Sequence, residues 1–295
     1  MERIRKVGVI GGGLMGSGIA QVCAAAGFPT TVREVSEELG AKARQSIEKT
    51  LAKGIERGKV TEGERDTTLR NLRFVTDLKE IASSDIFIEA VVEDLAVKNS
   101  LWAELNKIAG PEAIFASNTS SLTIVAMAKA SGRPDRMLGL HFFNPVPLMK
   151  LVEVVRTITT SEESERLAID FVRAVGKEPI RAKDSSGFVV NLLLIPYMLD
   201  AINALESGVA SVEDIDKGMQ LGAGYPMGPF TLLDFVGLDT AYKIAEIMFA
   251  EYREKRYAPP PLLKRMVLAG MLGKKSGKGF YDYSSNPPRV SSLGL

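Results

Sequence analysis

The single histidine of the chain, His141, is the side chain best suited to acid–base chemistry. It lies near the end of the apolar run Met137–Phe142, which is typical of a buried strand. Ligands of open α/β sheets bind outside the carboxyl ends of their strands. An imidazole there could take the proton of an alcohol as hydride leaves the carbon, and could return it in the reverse reaction. A hydrogen-bonded structural histidine is the alternative, and position alone favours neither.

Polar side chains follow two other apolar runs in the same way. Asn118 and Ser120 follow one run, and Glu93 follows another. Because the carboxyl ends of parallel strands meet at one edge of a sheet, these side chains could converge on His141. A carboxylate beside the imidazole would favour the imidazolium, and a hydroxyl could stabilise a developing alkoxide. The sequence therefore allows an acid–base site at this edge.

A glycine-rich segment, Gly11–Gly16, has the spacing G-x-G-x-x-G. It follows the strand-like run Val7–Ile10 and opens a helical stretch, which is the context that a dinucleotide-binding turn requires. The glycines would allow a tight turn, close approach of a pyrophosphate and close packing of helix on strand. A glycine-rich turn without a nucleotide is the alternative. The cofactor contacts predicted in this segment are Gly11, Gly13, Leu14, Met15 and Gly16.

The choice between NAD and NADP is predicted from the end of the second strand-like run. Glu34 lies there, and a carboxylate at this place can accept hydrogen bonds from both ribose hydroxyls and repel a 2′-phosphate. NAD is therefore the expected cofactor. Arg33 keeps NADP possible, because an arginine beside the site could pair with the phosphate.

Short apolar runs alternate with helical stretches in the first part of the chain, which predicts a parallel sheet covered by helices. From about Gly187 the sequence is typical of helices joined by glycine- and proline-containing turns. We therefore predict an α/β fold with a Rossmann-type domain over residues 1–186 and an all-helical domain over residues 187–295. The predicted strands are Val7–Ile10, Thr30–Val35, Arg73–Thr76, Ile86–Glu89, Ile114–Ser117, Met137–Phe142, Leu151–Val155 and Ile180–Ala182.

Composition excludes several classes of protein. The 295 residues carry 37 basic and 36 acidic side chains, so no basic excess points to nucleic acid. The one cysteine, Cys23, cannot form an internal disulfide and suits a reducing compartment. The apolar run Phe188–Ile202 is too short and too polar to span a bilayer. We expect a cytoplasmic protein that binds neither nucleic acid nor membrane, and we predict no metal site.

Seven segments in order along the chain resemble the short-chain L-3-hydroxyacyl-CoA dehydrogenase family. The resemblance covers nearly the whole sequence and is far more specific than the glycine motif alone. It implies NAD-dependent transfer of hydride at C3 of an acyl-CoA, most simply between 3-hydroxybutyryl-CoA and acetoacetyl-CoA. The matching segments are Val9–Ala20, Ala116–Leu122, His141–Val154, Gly187–Asn191, Ser211–Lys217, Tyr225–Pro229 and Lys275–Tyr283.

The resemblance also implies roles for individual residues. His141 is similar to the family's general base and Glu153 to its carboxylate partner. Ser120 resembles the residue that binds the 3-oxygen of the substrate, and Asn191 the asparagine that completes the site from the second domain. Without the resemblance, Glu153 could be an exposed strand residue, Ser120 a helix cap and Asn191 a satisfied polar group in a helix. The cofactor contacts implied by the resemblance are Glu34, Glu93, Lys98, Asn118, Asn144 and Lys275.

The segment Glu37–Arg70 is predicted to form a helical hairpin inserted in the first domain. In the family this hairpin binds the nucleotide end of coenzyme A, so substrate contacts are expected there. A helix face balanced by Glu48 and Glu56 and exposed only to water is the alternative. The cations concerned are Lys49, Lys53, Arg57 and Lys59, of which Lys53, Arg57 and Lys59 are the predicted contacts.

The sequence departs from the family pattern in the second domain. Leu192 stands where an arginine commonly follows the asparagine, and Tyr225 ends a segment, Ala223–Tyr225, that is usually Ala-Asn-His. Neither departure touches the acid–base pair. The resemblance implies S stereochemistry and a homodimer built on the C-terminal helices. A free 3-hydroxy acid or a dicarboxylyl-CoA as substrate, or a non-catalytic NAD-binding protein, are the alternatives.

Overall fold

The computed structural model describes residues 4–294. The chain divides into two compact units, Met1–Phe188 and Val189–Leu295. We describe each unit by itself, and the boundary predicted between residues 186 and 187 stays a prediction. The α/β first unit and the helical second unit confirm the predicted fold class.

The first unit is built on one eight-stranded sheet with the order β3-β2-β1-β4-β5-β6-β7-β8. All neighbouring strands within it are parallel except β6 and β7, which run antiparallel. Most of the central strands are buried on both faces, in agreement with their mainly apolar sequences. The strands are β1 (Val7–Ile10), β2 (Thr30–Arg33), β3 (Leu72–Val75), β4 (Ile86–Glu89), β5 (Ile114–Ser117), β6 (Met137–Phe142), β7 (Leu151–Arg156) and β8 (Glu178–Lys183).

Helices connect and cover these strands. The predicted hairpin is present between β2 and β3, where Ser36 caps the first helix and Thr61 forms a capping box at the second. The first hairpin helix buries one face, with Gly40, Ala43, Ile47 and Leu51 spaced three or four residues apart. The helices are α1 (Leu14–Ala25), α2 (Glu37–Glu56), α3 (Glu62–Arg70), α4 (Leu95–Asn106), α5 (Val125–Ala128) and α6 (Glu162–Ala174).

Over its described residues, up to 294, the second unit packs five α-helices around its own apolar core. It is not all-helical as predicted, because a two-stranded antiparallel ladder forms near its end. Buried Asp216 accepts hydrogen bonds from the backbone N–H groups of Phe230 and Thr231 and so caps the third helix of this unit. The elements are α7 (Val190–Glu206), α8 (Val212–Ala223), α9 (Pro229–Val236), α10 (Leu238–Tyr252), α11 (Pro261–Leu268), β9 (Tyr281–Asp282) and β10 (Arg289–Val290). Over residues 4–294, every helix is too short or too polar to cross a bilayer.

Candidate active site

The glycine turn after β1 has the backbone geometry that the sequence predicts. Gly11 has φ +90, and a Cβ on it would lie 2.7 Å from the carbonyl oxygen of Ala90. A Cβ on Gly16 would lie 1.7 Å from the carbonyl oxygen of Gly11, so α1 packs directly on the turn. Side chains are therefore excluded at both positions.

The space in front of α1 fits a pyrophosphate. A Cβ on Gly13 would meet nothing within 4 Å, so the turn leaves open space at the helix N-terminus. Gly13 is the N-cap residue and supplies no side-chain cap, and the first turn carries no acidic residue. Backbone N–H groups and the positive end of the helix dipole are thus left to attract an anion. Predicted contacts Leu14 and Met15 form the first turn of this helix, and Leu14 is exposed.

Glu34 follows β2 at the same sheet edge as the glycine turn, because Ile10 of β1 is in register with Arg33. Its carboxylate accepts hydrogen bonds from the backbone N–H groups of Gly12 and Val35. The acid is therefore held beside the turn, where a ribose would lie. The side chain of Arg33 donates from Nε to the carbonyl oxygen of Thr76 at 3.1 Å, which ties it to the end of β3.

His141 and Glu153 face each other across the only antiparallel strand pair of the described sheet, at matched positions of β6 and β7. His141 Nδ1 lies 2.6 Å from Glu153 Oε2. The imidazole is 4% exposed and the carboxylate is fully buried. Glu153 is therefore not the exposed strand residue that was the alternative at this position. Antiparallel pairing explains this contact, since it places both side chains on one face of the sheet.

The carboxylate of Glu153 selects the tautomer of the neutral imidazole. With Nδ1–H donating to Glu153, the neutral ring leaves Nε2 as the acceptor that can take a proton. Two aromatic rings pack against the imidazole: the centroid of Phe143 lies at 4.5 Å and that of Phe188 at 5.5 Å. Phe188 is buried and has φ +50, an uncommon backbone conformation for a residue other than glycine. The imidazole thus lies in an environment with little water.

A second buried cluster lies at the carboxyl ends of β4 and β5. Lys98 Nζ is 2.6 Å from Glu89 Oε1 and 3.2 Å from Glu93 Oε2, and the lysine is 1% exposed. Glu93 Oε1 also accepts from the Thr119 hydroxyl and, at 3.3 Å, from the backbone N–H of Ser120. Burial raises the pKa of Glu93, but the charge of Lys98 and these hydrogen bonds outweigh it and lower the pKa.

This cluster positions the segment that carries Ser120. The helix that Ser120 was considered to cap begins only at Val125, and Asp184 accepts the N–H groups of Ile124 and Val125. Ser120 is therefore not a helix cap. Glu93 and Ser120 do meet at the sheet edge, as the sequence predicts. Lys98 points into the buried cluster, and its contact with the cofactor stays a prediction.

The remaining predicted residues of the first unit lie at the end of β6. Asn118 Oδ1 accepts the backbone N–H of Phe142 at 2.9 Å, which joins the segment after β5 to the residue next to His141. Asn144 is exposed, two residues after Phe142. Glu93, Asn118, Ser120 and His141 therefore all lie at one edge of the sheet: Glu93 follows β4, Asn118 and Ser120 follow β5, and His141 is near the end of β6.

Two predicted residues belong to the second unit. Asn191 lies in the first turn of α7 and is 9% exposed. Lys275 forms an ion pair with Asp239, with 2.6 Å between Nζ and Oδ1. The roles of Asn191 and Lys275 stay predictions.

The cations of the hairpin are accessible. Lys49, Lys53, Arg57 and Lys59 are all exposed. Glu48, which could have balanced them, pairs with Arg44 instead, with 3.0 Å between Nε and Oε1. Over residues 4–294, none of these four cations has a carboxylate within 4 Å of its charged nitrogen atoms. The hairpin thus presents unneutralised positive charge, which suits phosphate groups.

Comparison with protein families decides the family. The model of the 3-hydroxyacyl-CoA dehydrogenase NAD-binding domain matches residues 6–185, and that of the 3-hydroxyacyl-CoA dehydrogenase C-terminal domain matches residues 187–283. The chain belongs to the 3-hydroxyacyl-CoA dehydrogenase family. The matches include every predicted site residue, and the family resemblance seen in the sequence is confirmed.

Individual members of the 3-hydroxyacyl-CoA dehydrogenase family match over almost their full length. A 3-hydroxybutyryl-CoA dehydrogenase of Mycobacterium tuberculosis is 52% identical over 96% of this chain and 99% of that protein. The human mitochondrial hydroxyacyl-coenzyme A dehydrogenase is 47% identical over 95% of this chain and 91% of that protein. The crystal structure of M. tuberculosis FadB2 superposes with a TM-score of 0.94 at 52% identity, over 96% of this chain and 100% of that one.

Several side chains near the predicted site of this 3-hydroxyacyl-CoA dehydrogenase were given no role from the sequence. Val35 and Val92 are each more than 60% exposed and follow β2 and β4 at the cofactor edge, where apolar surface suits a flat base. Val35 was predicted as the last residue of the second strand, whereas β2 ends at Arg33, and Val92 lies three residues after β4. Thr119 and Glu89 were not given roles, because their partners come from other elements of the fold and the sequence alone does not show the pairing.

Proposed function

We propose that this chain is an NAD-dependent dehydrogenase that interconverts (S)-3-hydroxyacyl-CoA and 3-ketoacyl-CoA thioesters of short chain length. The observation that carries the proposal is the buried His141–Glu153 pair, 2.6 Å between Nδ1 and Oε2, at the end of β6 in a member of this family. Relatives along nearly the whole chain are 3-hydroxybutyryl-CoA dehydrogenases by name. These names support 3-hydroxybutyryl-CoA and acetoacetyl-CoA as the substrate pair.

The residues of the site can divide the chemistry as follows. NAD, when bound, supplies the acceptor for the hydride from C3. His141 Nε2 takes the proton of the 3-hydroxyl group, and Glu153 stabilises the imidazolium that results. The Ser120 hydroxyl donates to the 3-oxygen as negative charge develops there, and Asn191 is assigned to the same oxygen. In the reverse direction His141 returns the proton to the ketone.

The cofactor preference follows from the glycine turn and Glu34. The open space at Gly13 and the uncapped N-terminus of α1 fit the pyrophosphate, and Glu34 fits the ribose hydroxyls. A 2′-phosphate would meet the carboxylate of Glu34 and be repelled. We therefore assign NAD, with the remaining cofactor contacts given to Glu93, Lys98, Asn118, Asn144 and Lys275 as predicted.

The substrate handle and the assembly are further parts of the proposal. The exposed cations Lys53, Arg57 and Lys59 are assigned to the phosphates of coenzyme A. A homodimer through the C-terminal helices and a cytoplasmic location are proposed with the same enzyme. The S configuration is supported by a structural relative from Ralstonia eutropha that is described as an (S)-3-hydroxybutyryl-CoA dehydrogenase.

The test is oxidation of NADH followed at 340 nm with three substrates: acetoacetyl-CoA, a longer 3-ketoacyl-CoA and free acetoacetate. The proposal expects the highest kcat/KM with acetoacetyl-CoA and NADH, and a much lower value with NADPH or with the free acid. Equal turnover of the free acid would show that coenzyme A is not recognised. Tight NADH binding without turnover of any of them would favour a non-catalytic NAD-binding protein.

A further inference from the structure

Lys177 is a buried cation that the proposed chemistry does not use. It lies in the turn between α6 and β8 and is 7% exposed. Burial lowers the pKa of its ammonium. Over residues 4–294 no carboxylate lies within 4 Å of Nζ, so this charge has no partner of opposite sign. Burying such a cation is costly unless its donors are well satisfied.

The partners of Lys177 are two backbone carbonyl groups in residues 143–150, the segment that follows His141 and Phe142 and that we name the His141 loop. Nζ donates to the carbonyl oxygen of Val146 at 2.6 Å and to that of Met149 at 2.8 Å. A cation at the carbonyl end of a turn stabilises it. Lys177 therefore holds the His141 loop in place through the carbonyl groups of Val146 and Met149.

The His141 loop forms a hydrogen-bonded turn and makes a second hydrogen bond to the segment that carries Lys177. The carbonyl oxygen of Pro145 accepts from the N–H groups of Leu148 and Met149, at 2.9 and 3.0 Å. Next to Lys177, the N–H of Glu178 donates to the carbonyl oxygen of Lys150 at 2.8 Å. The loop is thus one compact turn that is hydrogen-bonded to the first residue of β8.

The His141 loop packs on α1 through Val146. A Cβ on Gly18 would lie 2.9 Å from Val146 Cβ, so helix and loop are in close contact. α1 is the helix whose N-terminus forms the glycine turn. The His141 loop is therefore held between this helix and Lys177, and it carries Asn144, a predicted cofactor contact.

We propose that Lys177 is a positioning residue for cofactor binding and proton transfer, acting through the carbonyl groups of the His141 loop. The ammonium holds the loop against α1, so that Asn144 and His141 keep a fixed relation to the glycine turn. Lys177 itself touches neither substrate nor cofactor. This inference rests on the proposed function, and on the contacts of the loop for its geometry.

The test is Lys177→Met, which keeps the length of the side chain and removes its charge and its donors. We expect the Kd of NADH, measured by fluorescence titration, to rise about fivefold or more, and kcat to fall about tenfold to a hundredfold, because misplacement by a fraction of an ångström is costly in such sites. Ile169→Val, a core change in α6, is the control for loss of stability alone. At a comparable fall in Tm it should leave both constants within about twofold.

Gly18→Ala tests the same contact from the other side, because its methyl group would push on Val146. It should raise the Kd of NADH as Lys177→Met does, and the effects of the two changes should not add in the double variant. If Lys177→Met fails to fold, Gly18→Ala and Lys177→Arg carry the test: Arg keeps the charge and should keep part of the affinity of the unmodified chain, and an unchanged Kd in folded Gly18→Ala would then overturn the inference. An unchanged Kd and kcat in folded Lys177→Met would overturn the inference. The NADH titration needs no turnover, so it decides this inference even if the unmodified chain proves inactive on acyl-CoA.

Discussion

We expect Glu153 to support proton transfer by His141 mainly through the negative charge of its carboxylate. Glu153→Gln removes that charge. The amide keeps the size of the side chain at a position that is fully buried, opposite His141 Nδ1 at 2.6 Å. A charge-assisted hydrogen bond contributes about 1.5–3 kcal/mol. Attraction between an imidazolium and a carboxylate about 4 Å apart amounts to about 4 kcal/mol at an effective dielectric constant of about 20. We therefore expect a loss of about 2–4 kcal/mol, which lowers kcat about thirtyfold to a thousandfold.

The assay is steady-state reduction of acetoacetyl-CoA by NADH, together with a fluorescence titration of NADH. Kd for NADH should stay within about twofold, since only the proton-transfer step loses a stabilising charge. Glu165→Gln is the matched control, because Glu165 is another buried carboxylate of the first unit and pairs with Arg156 and Arg181. It should cost stability and spare kcat. A kcat for Glu153→Gln within about threefold of the unmodified chain would show that the charge of Glu153 does not support proton transfer.

Three further changes test other parts of the site. Glu34→Ala should weaken NADH binding more than NADPH binding, since the ribose acid is lost, and equal losses would show that Glu34 does not face the ribose. Glu93 has a lowered pKa, so its carboxylate stabilises the fold above its ordinary value of 4.5 and loses this contribution as the pH falls. The stability gap between the unmodified chain and Glu93→Gln should therefore narrow in acid, and a constant gap in pH-dependent unfolding would contradict this. The pair Lys53→Ala and Arg57→Ala should raise KM for acetoacetyl-CoA about two- to tenfold and leave KM for an acetoacetyl-pantetheine thioester unchanged; equal shifts for both would exclude phosphate contacts.

The strands of the large sheet were predictable because most of them are short apolar runs. β1, β4, β5 and β6 have the predicted bounds, and the ends of β2, β3, β7 and β8 differ from the prediction by at most two residues. The direction of β7 was not predictable, because strand composition carries no information about the partner. That direction decides the site, since the antiparallel register places Glu153 opposite His141.

Site residues could be predicted only where they lie at strand ends or match the family resemblance. His141 lies near the end of one apolar run and Glu93 follows another, which places them at one sheet edge. Lys98 lies on a helix, and its burial against Glu89 depends on a contact between two elements that no local pattern shows. The same holds for Lys177, which has carbonyl partners instead of a side-chain partner and so leaves no signal in the sequence.

The most direct test of His141 as the acid–base residue is the turnover of the His141→Gln variant. Removing a general base of this kind lowers kcat by about a hundredfold to ten-thousandfold, and we expect a loss in that range both for reduction of acetoacetyl-CoA and for oxidation of 3-hydroxybutyryl-CoA. NADH affinity should be nearly unchanged, because the glycine turn and Glu34 remain in place. Near-normal turnover in a folded His141→Gln variant would contradict the assignment of His141 as the acid–base residue.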